Sequence, residues 1–162
     1  MATGMKNQLT GQIGEHLVTA ELGRRGIIAT PFAGNVPDID ILAYANGVTG
    51  HIQVKAMRKS SWQMNIKRFL EIEITKKEQR SRGKNLDLDR KIICVFVELG
   101  PALGQDTFYI FTQGWLQDYF SENYKGRKPP NNIEATHCAV WPKHLQRHKE
   151  NWDLIERKFK VR

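Results

Sequence analysis

The sequence predicts a mixed α/β (α+β) protein with a central mixed β-sheet flanked by helices. Three observations lead to this prediction: apolar residues at helical spacing near the start, an Asn-Gly pair between two alternating segments, and an apolar run from Ile92 to Val97. The chain has 162 residues, of which 40% are hydrophobic, which is enough for one buried core. We therefore expect residues 1–162 to form a single domain.

The first predicted element is a helix over residues 7–24. Its apolar residues at helical spacing are Leu9, Ile13, Leu17 and Ala20. They fall within about 80° of arc at 100° per residue, so we expect this side of the helix to face the core. Glu15 lies off that arc, beside Val18 and Leu22, and spacing alone favours an exposed carboxylate. Gly11 and Gly14 each cost about 1 kcal/mol of helix stability relative to alanine. They suit a close approach of the helix to a sheet or to a phosphate backbone, or a late helix start.

The next strands are expected at residues 27–32, 37–45 and 48–57. Asn46-Gly47 is the strongest short-range signal for a two-residue hairpin turn. Ala45 would then oppose Val48, Asp40 would oppose Gln53, and Asp38 would oppose Lys55. Because side chains alternate along a strand, two sets of residues follow. One face carries Asp38, Asp40, Gln53 and Lys55, and the other carries Ile39, Ile41, Ile52 and Val54. A slip of one residue would divide the polar cluster between the faces.

The remaining elements follow from shorter patterns. Residues 62–74 alternate in part and indicate a strand or hairpin, whereas residues 75–82 resemble a short polar helix and residues 81–90 a loop. Strands are expected at 91–99, 107–112 and 135–141. Thr112 is a suitable N-cap for a helix over 114–124. Residues 125–132 form a loop, and Pro142 can begin a final helix.

The polar face of the predicted hairpin has the chemistry of a cation site. Directly opposed residues have Cβ atoms about 5 Å apart, which suits two oxygen ligands around one divalent cation. Asp40 offers a carboxylate and Gln53 an amide carbonyl, and the Lys55 ammonium could orient a water or stabilise negative charge. The alternative is a solvated strand face with one Asp38–Lys55 pair, worth at most about 1 kcal/mol.

These residues also carry a family resemblance. Pro37 with Asp38 or Asp40, followed by Gln53-Val54-Lys55, resembles the signature of the PD-(D/E)xK nucleases, which include restriction endonucleases and archaeal Holliday junction resolvases. The stretch that begins at Gly14-Glu15 resembles the helix whose acidic residue completes the metal site in these enzymes. The resemblance extends over residues 10–57.

The resemblance implies a restriction-endonuclease-like fold and a Mg²⁺- or Mn²⁺-dependent endodeoxyribonuclease, with DNA repair, recombination or restriction as the context. The catalytic residues that it implies are Glu15, Asp40, Gln53 and Lys55. The metal would be held by Asp40, Gln53 and Glu15, with Asp38 as the alternate ligand. A homodimer is expected by the same resemblance.

Gln53 departs from the usual pattern, which has an acidic residue at this place. Glutamine is tolerated there in some members of the superfamily. The change removes one negative charge from the cation site, so Mg²⁺ affinity should be lower unless Asp38 or Glu15 compensates. A catalytically weakened nucleic-acid-binding module is therefore the alternative function. A structural or partner-binding protein with an incidental basic surface is a third.

The charge balance favours a polyanion as partner. The chain carries 25 Lys and Arg against 17 Asp and Glu, a net charge of +8. The residues expected to contact DNA phosphates are Arg58, Lys59, Lys67, Arg68, Lys76 and Lys77. Solvated surface charge is the alternative for any of these pairs. Trp62 and Phe69 lie among them, and we expect both to pack in the core or in a hairpin, with stacking on bases as the alternative.

The rest of the sequence limits the cell compartment and the metal chemistry. The chain has no apolar run long enough to span a membrane, and residues 1–6 lack an apolar signal core, so a cytoplasmic protein without a membrane partner is expected. Cys94 lies within an apolar run and should be a buried reduced thiol. His144 and His148, with His137-Cys138 nearby, lack a familiar zinc spacing, and exposed helical histidines are the favoured interpretation.

Overall fold

The computed structural model describes residues 3–32 and 39–161. Contacts within the chain group it into two compact units. The first unit comprises Met1–Trp62, Ile92–Phe111 and Trp141–Arg162, and the second comprises Gln63–Lys91 and Thr112–Val140. The expectation of a single domain over residues 1–162 stays a prediction.

The order of helices and strands agrees with the predicted order in most places. In chain order they are α1 (Thr3–Arg24), β1 (Ile28–Pro31), β2 (Ile41–Ala45), β3 (Val48–Met57), β4 (Trp62–Asn65), β5 (Leu70–Ile74), β6 (Gln79–Lys84), β7 (Ile93–Glu98), β8 (Thr107–Thr112), α2 (Gln113–Asn123), β9 (His137–Val140) and α3 (Asp153–Phe159).

The first unit contains a five-stranded sheet with the strand order β1-β2-β3-β7-β8. Strands β1, β2 and β3 pair antiparallel, whereas β3 and β7 pair parallel, so the sheet is mixed. Val18 and Leu22 of α1 share one hydrophobic core with Ile155 and Phe159 of α3 and with Ile52 of β3. The predicted mixed fold, with a central mixed sheet flanked by helices, is confirmed.

The side of α1 that faces the sheet differs from the prediction. Leu9 and Ile13 are 41% and 37% exposed, whereas Val18 and Leu22 are fully buried. The buried face is centred on Gly14, where an added Cβ would lie 2.5 Å from the Cβ of Ala56. The prediction was wrong because close packing at Gly14 turns the neighbouring side of the helix, with Val18 and Leu22, toward the sheet.

The opposite face of the sheet carries an aromatic cluster. Within the first unit, the ring of Trp62 lies 5.1 Å from that of Phe96 and 5.6 Å from that of Tyr109, and Phe96 lies 4.9 Å from Phe111. Such tilted and edge-on arrangements are the favourable ones for buried rings. Trp62 is therefore a core residue, as expected.

The second unit has two two-stranded sheets, one of β4 with β9 and one of β5 with β6. Strands β5 and β6 pair antiparallel and contact α2. Phe69 is fully buried and packs on Phe120, which confirms its expected place in the core. Thr112 caps α2, since its hydroxyl accepts from the Trp115 N–H at 3.1 Å.

Three predicted elements of local structure are wrong. The predicted loop over residues 81–90 begins later, because strand β6 extends to Lys84. Residues 75–82 do not form a helix, because the Thr75 hydroxyl accepts from the Glu78 N–H at 3.1 Å and closes a turn between β5 and β6. The predicted helix beginning at Pro142 is two short 3-10 turns, Pro142–His144 and Gln146–His148, and the α-helix begins only at Asp153. Across residues 3–32 and 39–161, no helix has the length and apolar character needed to cross a membrane.

Candidate active site

The hairpin that organises the site has the predicted turn and, from Ala45–Val48 to Ile41–Ile52, the predicted register. Asn46 and Gly47 have positive φ angles of 48° and 77°, as a two-residue hairpin turn requires. Ala45 pairs with Val48 and, at the far end of the ladder, Ile41 pairs with Ile52. The Asn46 amide also donates to the Lys160 carbonyl at 2.7 Å, which ties the turn to the end of α3.

Asp40 lies where the regular ladder between β2 and β3 ends. Its N–H donates to the Ile52 carbonyl at 3.1 Å, one residue short of Gln53, the partner that a continued register would give. Its carboxylate Oδ2 accepts from the Val54 N–H at 2.7 Å. The side chain thus replaces the strand carbonyl that would otherwise satisfy this donor, and the carboxylate is fixed at the strand end.

Glu15 reaches the same place from the helix. Gly14 brings α1 against Val54 and Ala56 of β3, so the next residue lies beside the sheet, half-buried. Glu15 and Asp40 interact electrostatically. The sequence assigned Glu15 to the off-core side of α1, and the close packing at Gly14 is the reason that it lies near Asp40.

Gln53 and Lys55 occupy alternate positions on β3, on the face opposite to Val54 and α1. Lys55 is half-buried and interacts electrostatically with Asp40. Gln53 is only 5% exposed. The Cys94 thiol, from the neighbouring strand β7, donates to the Gln53 carbonyl Oε1 at an S–O distance of 3.7 Å.

The contact between Cys94 and Gln53 was not part of the sequence prediction. The apolar run around Cys94 indicated a buried thiol, which is correct, since Cys94 is unbridged and fully buried. Its partner depends on the parallel register of β3 and β7, which places Gln53 beside Cys94. No local pattern in the sequence indicates that register.

The electrostatics of the carboxyl groups favour a cation. Burial raises the pKa of Asp40 above its ordinary value, and the Val54 N–H and the Lys55 ammonium oppose this increase. Burial and then the charge of Asp40 raise the pKa of Glu15, which His16 opposes. Two carboxylates that are partly desolvated and repel each other are stabilised in their ionised forms by a nearby positive charge.

The donor set fits a hard divalent cation. Carboxylate and amide oxygens are the ligands that Mg²⁺ and Mn²⁺ accept, and the described part of the site offers Glu15, Asp40 and the Gln53 carbonyl. Asp38, the alternate ligand, lies outside the described residues. Among residues 3–32 and 39–161 no group of three or more His, Cys, Asp and Glu side chains is arranged to hold a metal. A cation at this place would therefore also need an amide ligand or water.

The histidine and cysteine residues considered for zinc have other surroundings. His148 packs against the ring of Phe111, and burial lowers its pKa to about 4. His144 and His148 lie in separate 3-10 turns and not in one helix, so they do not share a helix face as their spacing predicted. Burial raises the pKa of Cys138 to about 12, which disfavours the thiolate that zinc requires.

The basic residues expected to contact DNA divide between the two units. Arg58 and Lys59 follow β3 directly in the first unit, and both are exposed. The second unit holds Lys67, Lys76 and Lys77, which are exposed, and Arg68, which is half-buried with its guanidinium 5.8 Å from the ring of Phe69. Their role in DNA binding stays a prediction.

Comparison with known proteins places the fold but not the family. The sequence matches no protein-family model and no curated protein sequence. The chain is similar in structure to the bacterial homing endonuclease I-Ssp6803I, with a TM-score of 0.51 and 15% sequence identity over 96% of each chain. At this identity the likeness extends to the fold, and the chain has the mixed α+β fold of that endonuclease.

Proposed function

We propose that the protein is a Mg²⁺- or Mn²⁺-dependent DNA endonuclease of the PD-(D/E)xK type that hydrolyses phosphodiester bonds. The observation that carries the proposal is the position of Asp40. This carboxylate lies at the end of the β2–β3 ladder and interacts with Glu15 from the helix side and Lys55 from the opposite face. An acid pair with an adjacent ammonium is a suitable arrangement for phosphodiester hydrolysis.

The cation would be held by Asp40, Glu15 and the Gln53 carbonyl oxygen. When bound, a divalent cation supplies Lewis-acid polarisation of the scissile phosphate and lowers the pKa of a coordinated water. Asp40 is suited to hold it, because the Val54 N–H keeps its carboxylate in one orientation. Gln53 is suited because its amide carbonyl is a hard oxygen ligand on a side chain that is buried on β3.

Lys55 acts on the charge that develops during the reaction. The hydrolysis adds a water oxygen to phosphorus and breaks the bond to the leaving sugar oxygen, so negative charge increases on the phosphoryl oxygens. An ammonium held in a half-buried position stabilises that charge more strongly than it would in bulk water. The Lys55 ammonium can also orient the attacking water by donating a hydrogen bond to the water oxygen.

DNA is the proposed partner. The net charge of +8 favours a polyanion, and the fold is that of a protein described as a homing endonuclease. The exposed residues Arg58 and Lys59 continue directly from the strand that carries Lys55, so they are suited to contact phosphates next to the cut. A homodimer that cuts both strands and a cytoplasmic location complete the proposal as expectations.

A cleavage assay tests this function. Purified protein is incubated with supercoiled plasmid and with branched DNA in Mg²⁺, Mn²⁺ or EDTA, and nicked and linear products are quantified. Cutting that requires a divalent cation and stops in EDTA supports the proposal. Absence of cutting on every substrate with either cation contradicts it.

A non-catalytic DNA-binding module is the second candidate, and the Gln53–Cys94 contact favours it. Gln53 supplies no negative charge, and its carbonyl already accepts from a buried thiol. Both features lower the affinity expected for Mg²⁺. DNA binding that weakens with salt, without cleavage, would distinguish this candidate from the enzyme.

A further inference from the structure

The second unit presents a two-stranded antiparallel ribbon formed by β5 and β6. Its inner side is buried: Leu70 is 1% exposed and so is Gln79. Both strands also contact helix α2. The outer side carries charged residues, with Glu71, Arg80 and Arg82 exposed and Glu73 half-buried.

Glu73 holds two arginines on this outer side. The Arg80 Nε donates to Glu73 Oε2 at 2.7 Å, and the Arg82 Nη2 donates to Glu73 Oε1 at 2.7 Å. The side chains of Arg80 and Arg82 remain 46% and 52% exposed. A guanidinium has five N–H donors, so each arginine keeps donors for another molecule while Glu73 limits its freedom. We call these three residues the ribbon triad.

A β-bulge aims Arg82 toward Glu73. Ile72 pairs with Ser81, but Glu71 pairs with Gly83, so Arg82 is an extra residue without a cross-strand partner. Gly83 has a φ angle of +151°, a backbone conformation that residues other than glycine rarely adopt. Bulges redirect side chains in this way, and here the result is that Arg80 and Arg82 converge on one carboxylate.

The composition of the ribbon triad suits base edges better than phosphates. A surface that tracks only phosphates has no use for a carboxylate at its centre, because Glu73 repels the DNA backbone. Hydrogen bonds from Arg82 and Arg80 hold the pKa of Glu73 below its ordinary value, so the carboxylate is ionised at neutral pH. Arginine donors match the O6 and N7 atoms of guanine, and a carboxylate accepts from the N4 amino group of cytosine.

The end of the ribbon supplies the charge that a DNA duplex requires. Lys76 and Lys77 lie in the exposed turn between β5 and β6. Arg127 and Gln79 exchange two backbone hydrogen bonds of 2.9 Å. The Lys128 Nζ lies 3.3 Å from the Glu78 Oε2. Basic residues therefore flank the triad, and the major groove of B-DNA is wide enough to admit a two-stranded ribbon.

We propose that the β5–β6 ribbon enters the major groove of duplex DNA and that Arg80, Arg82 and Glu73 read base edges there. This inference rests on the proposed DNA endonuclease function and adds to it the element that selects the DNA sequence. Lys76 and Lys77 bind phosphates beside the groove and fix the position of the ribbon.

Selection from a library of randomised duplexes tests the ribbon. The full-length protein is equilibrated with the library in Ca²⁺, bound DNA is sequenced, and the wild type is compared with Arg80→Gln, Arg82→Gln and Glu73→Gln. Thermal melting of each variant verifies that it is folded. Lys143→Gln, an exposed residue of the first unit, is the control, and Lys76→Gln with Lys77→Gln is the phosphate-contact comparison.

We expect the wild type to enrich a guanine-containing motif. Each arginine variant should reduce the preference for a guanine by about tenfold, since a bidentate arginine–guanine contact gives discrimination of that order. Glu73→Gln should bind all DNA more tightly but with a weaker preference. The double lysine variant should bind more weakly to every sequence and show a smaller salt dependence, with the motif retained.

Three outcomes overturn the inference. If the arginine variants keep the wild-type motif while their affinity decreases uniformly, the triad binds phosphates and does not read bases. If the wild type enriches no motif but cuts plasmid DNA, base reading is wrong and the endonuclease function stands. If the wild type neither binds nor cuts DNA, both proposals fail.

Discussion

The Asp40 carboxylate accepts a hydrogen bond of 2.7 Å from the backbone N–H of Val54, at the point where the β2–β3 ladder ends. This bond takes the place of a regular strand pairing and positions a carboxylate between α1 and Lys55. The cost is a partly desolvated negative charge near a second one on Glu15, since burial raises the pKa of both groups. In the proposed function, a bound cation would offset this cost.

Asp40→Asn should stabilise the metal-free protein at neutral pH. The pKa of Asp40 is raised in the folded state, so that state binds protons more tightly than the unfolded chain. Stability is therefore highest below the ordinary carboxyl pKa and decreases as the pH rises through the interval up to the raised pKa. Asparagine removes this decrease and can still accept from Val54.

Chemical denaturation of the wild type and of Asp40→Asn across this pH range, in EDTA, measures the effect. The difference in unfolding free energy should be small below about pH 4, where both proteins lack this charge, and should favour the variant at neutral pH. A difference in unfolding free energy that does not change with pH would show that folding does not raise the pKa of Asp40.

Gly14→Ala should destabilise the protein and displace Glu15. The added Cβ would lie 2.5 Å from the Cβ of Ala56, so α1 must move away from β3, at a cost of about 1–3 kcal/mol. Gly11→Ala is the matched control, because an added Cβ at Gly11 meets nothing within 4 Å. Alanine there should raise helix stability by up to about 1 kcal/mol.

Thermal unfolding of both glycine variants checks this contrast. We expect Gly14→Ala to melt at a lower temperature than the wild type and Gly11→Ala at an equal or higher one. Equal behaviour of the two variants would mean that α1 does not pack against β3 through Gly14.

Gln53→Glu should increase Mg²⁺ affinity at the expense of stability without metal. The new carboxylate would be buried near Asp40, which costs on the order of 1–3 kcal/mol when no cation is present. A third charged ligand should tighten Mg²⁺ binding by about tenfold, or about 1.4 kcal/mol.

Calorimetric titration with Mg²⁺, beside melting curves with and without the ion, measures both parts of this prediction. Gln146→Glu adds the same charge at an exposed position of the first unit and serves as the control. Unchanged Mg²⁺ affinity in the Gln53 variant would exclude this side chain from the cation site.

The hairpin could be predicted from the sequence because its determinants are local. Asn46-Gly47 fixes the turn, and the alternation of apolar residues fixes which side of the ribbon is buried. The register from Ala45–Val48 to Ile41–Ile52 follows from these two facts. The Thr112 cap of α2 was predictable for the same reason.

Features that depend on contacts between distant segments could not be predicted. The orientation of α1 is decided by Gly14, a residue that contributes no apolar surface of its own, meeting Ala56 on β3. The contact between Gln53 and Cys94 depends on the parallel pairing of β3 with β7. Likewise, Gln79 begins a strand and not a helix because Thr75 closes a turn and β5 supplies the partner.

The ribbon triad shows a third kind of limit. Arg80 and Arg82 lie within a basic stretch of the sequence. That stretch alone indicates a positively charged surface and gives neither arginine a specific partner. Their convergence on Glu73 depends on the bulge at Arg82, which becomes apparent only when the pairing of β5 with β6 is known.

The rate of plasmid cleavage by Lys55→Ala, at saturating Mg²⁺ and under single-turnover conditions, tests the central claim most directly. Lys149→Ala, which removes an exposed lysine of the same unit, is the matched control. We predict that the wild type and the control cut at similar rates, that Lys55→Ala cuts about 100-fold more slowly, and that EDTA stops all three. Cleavage by Lys55→Ala at the wild-type rate would contradict the assignment of the active site to Asp40, Glu15, Gln53 and Lys55.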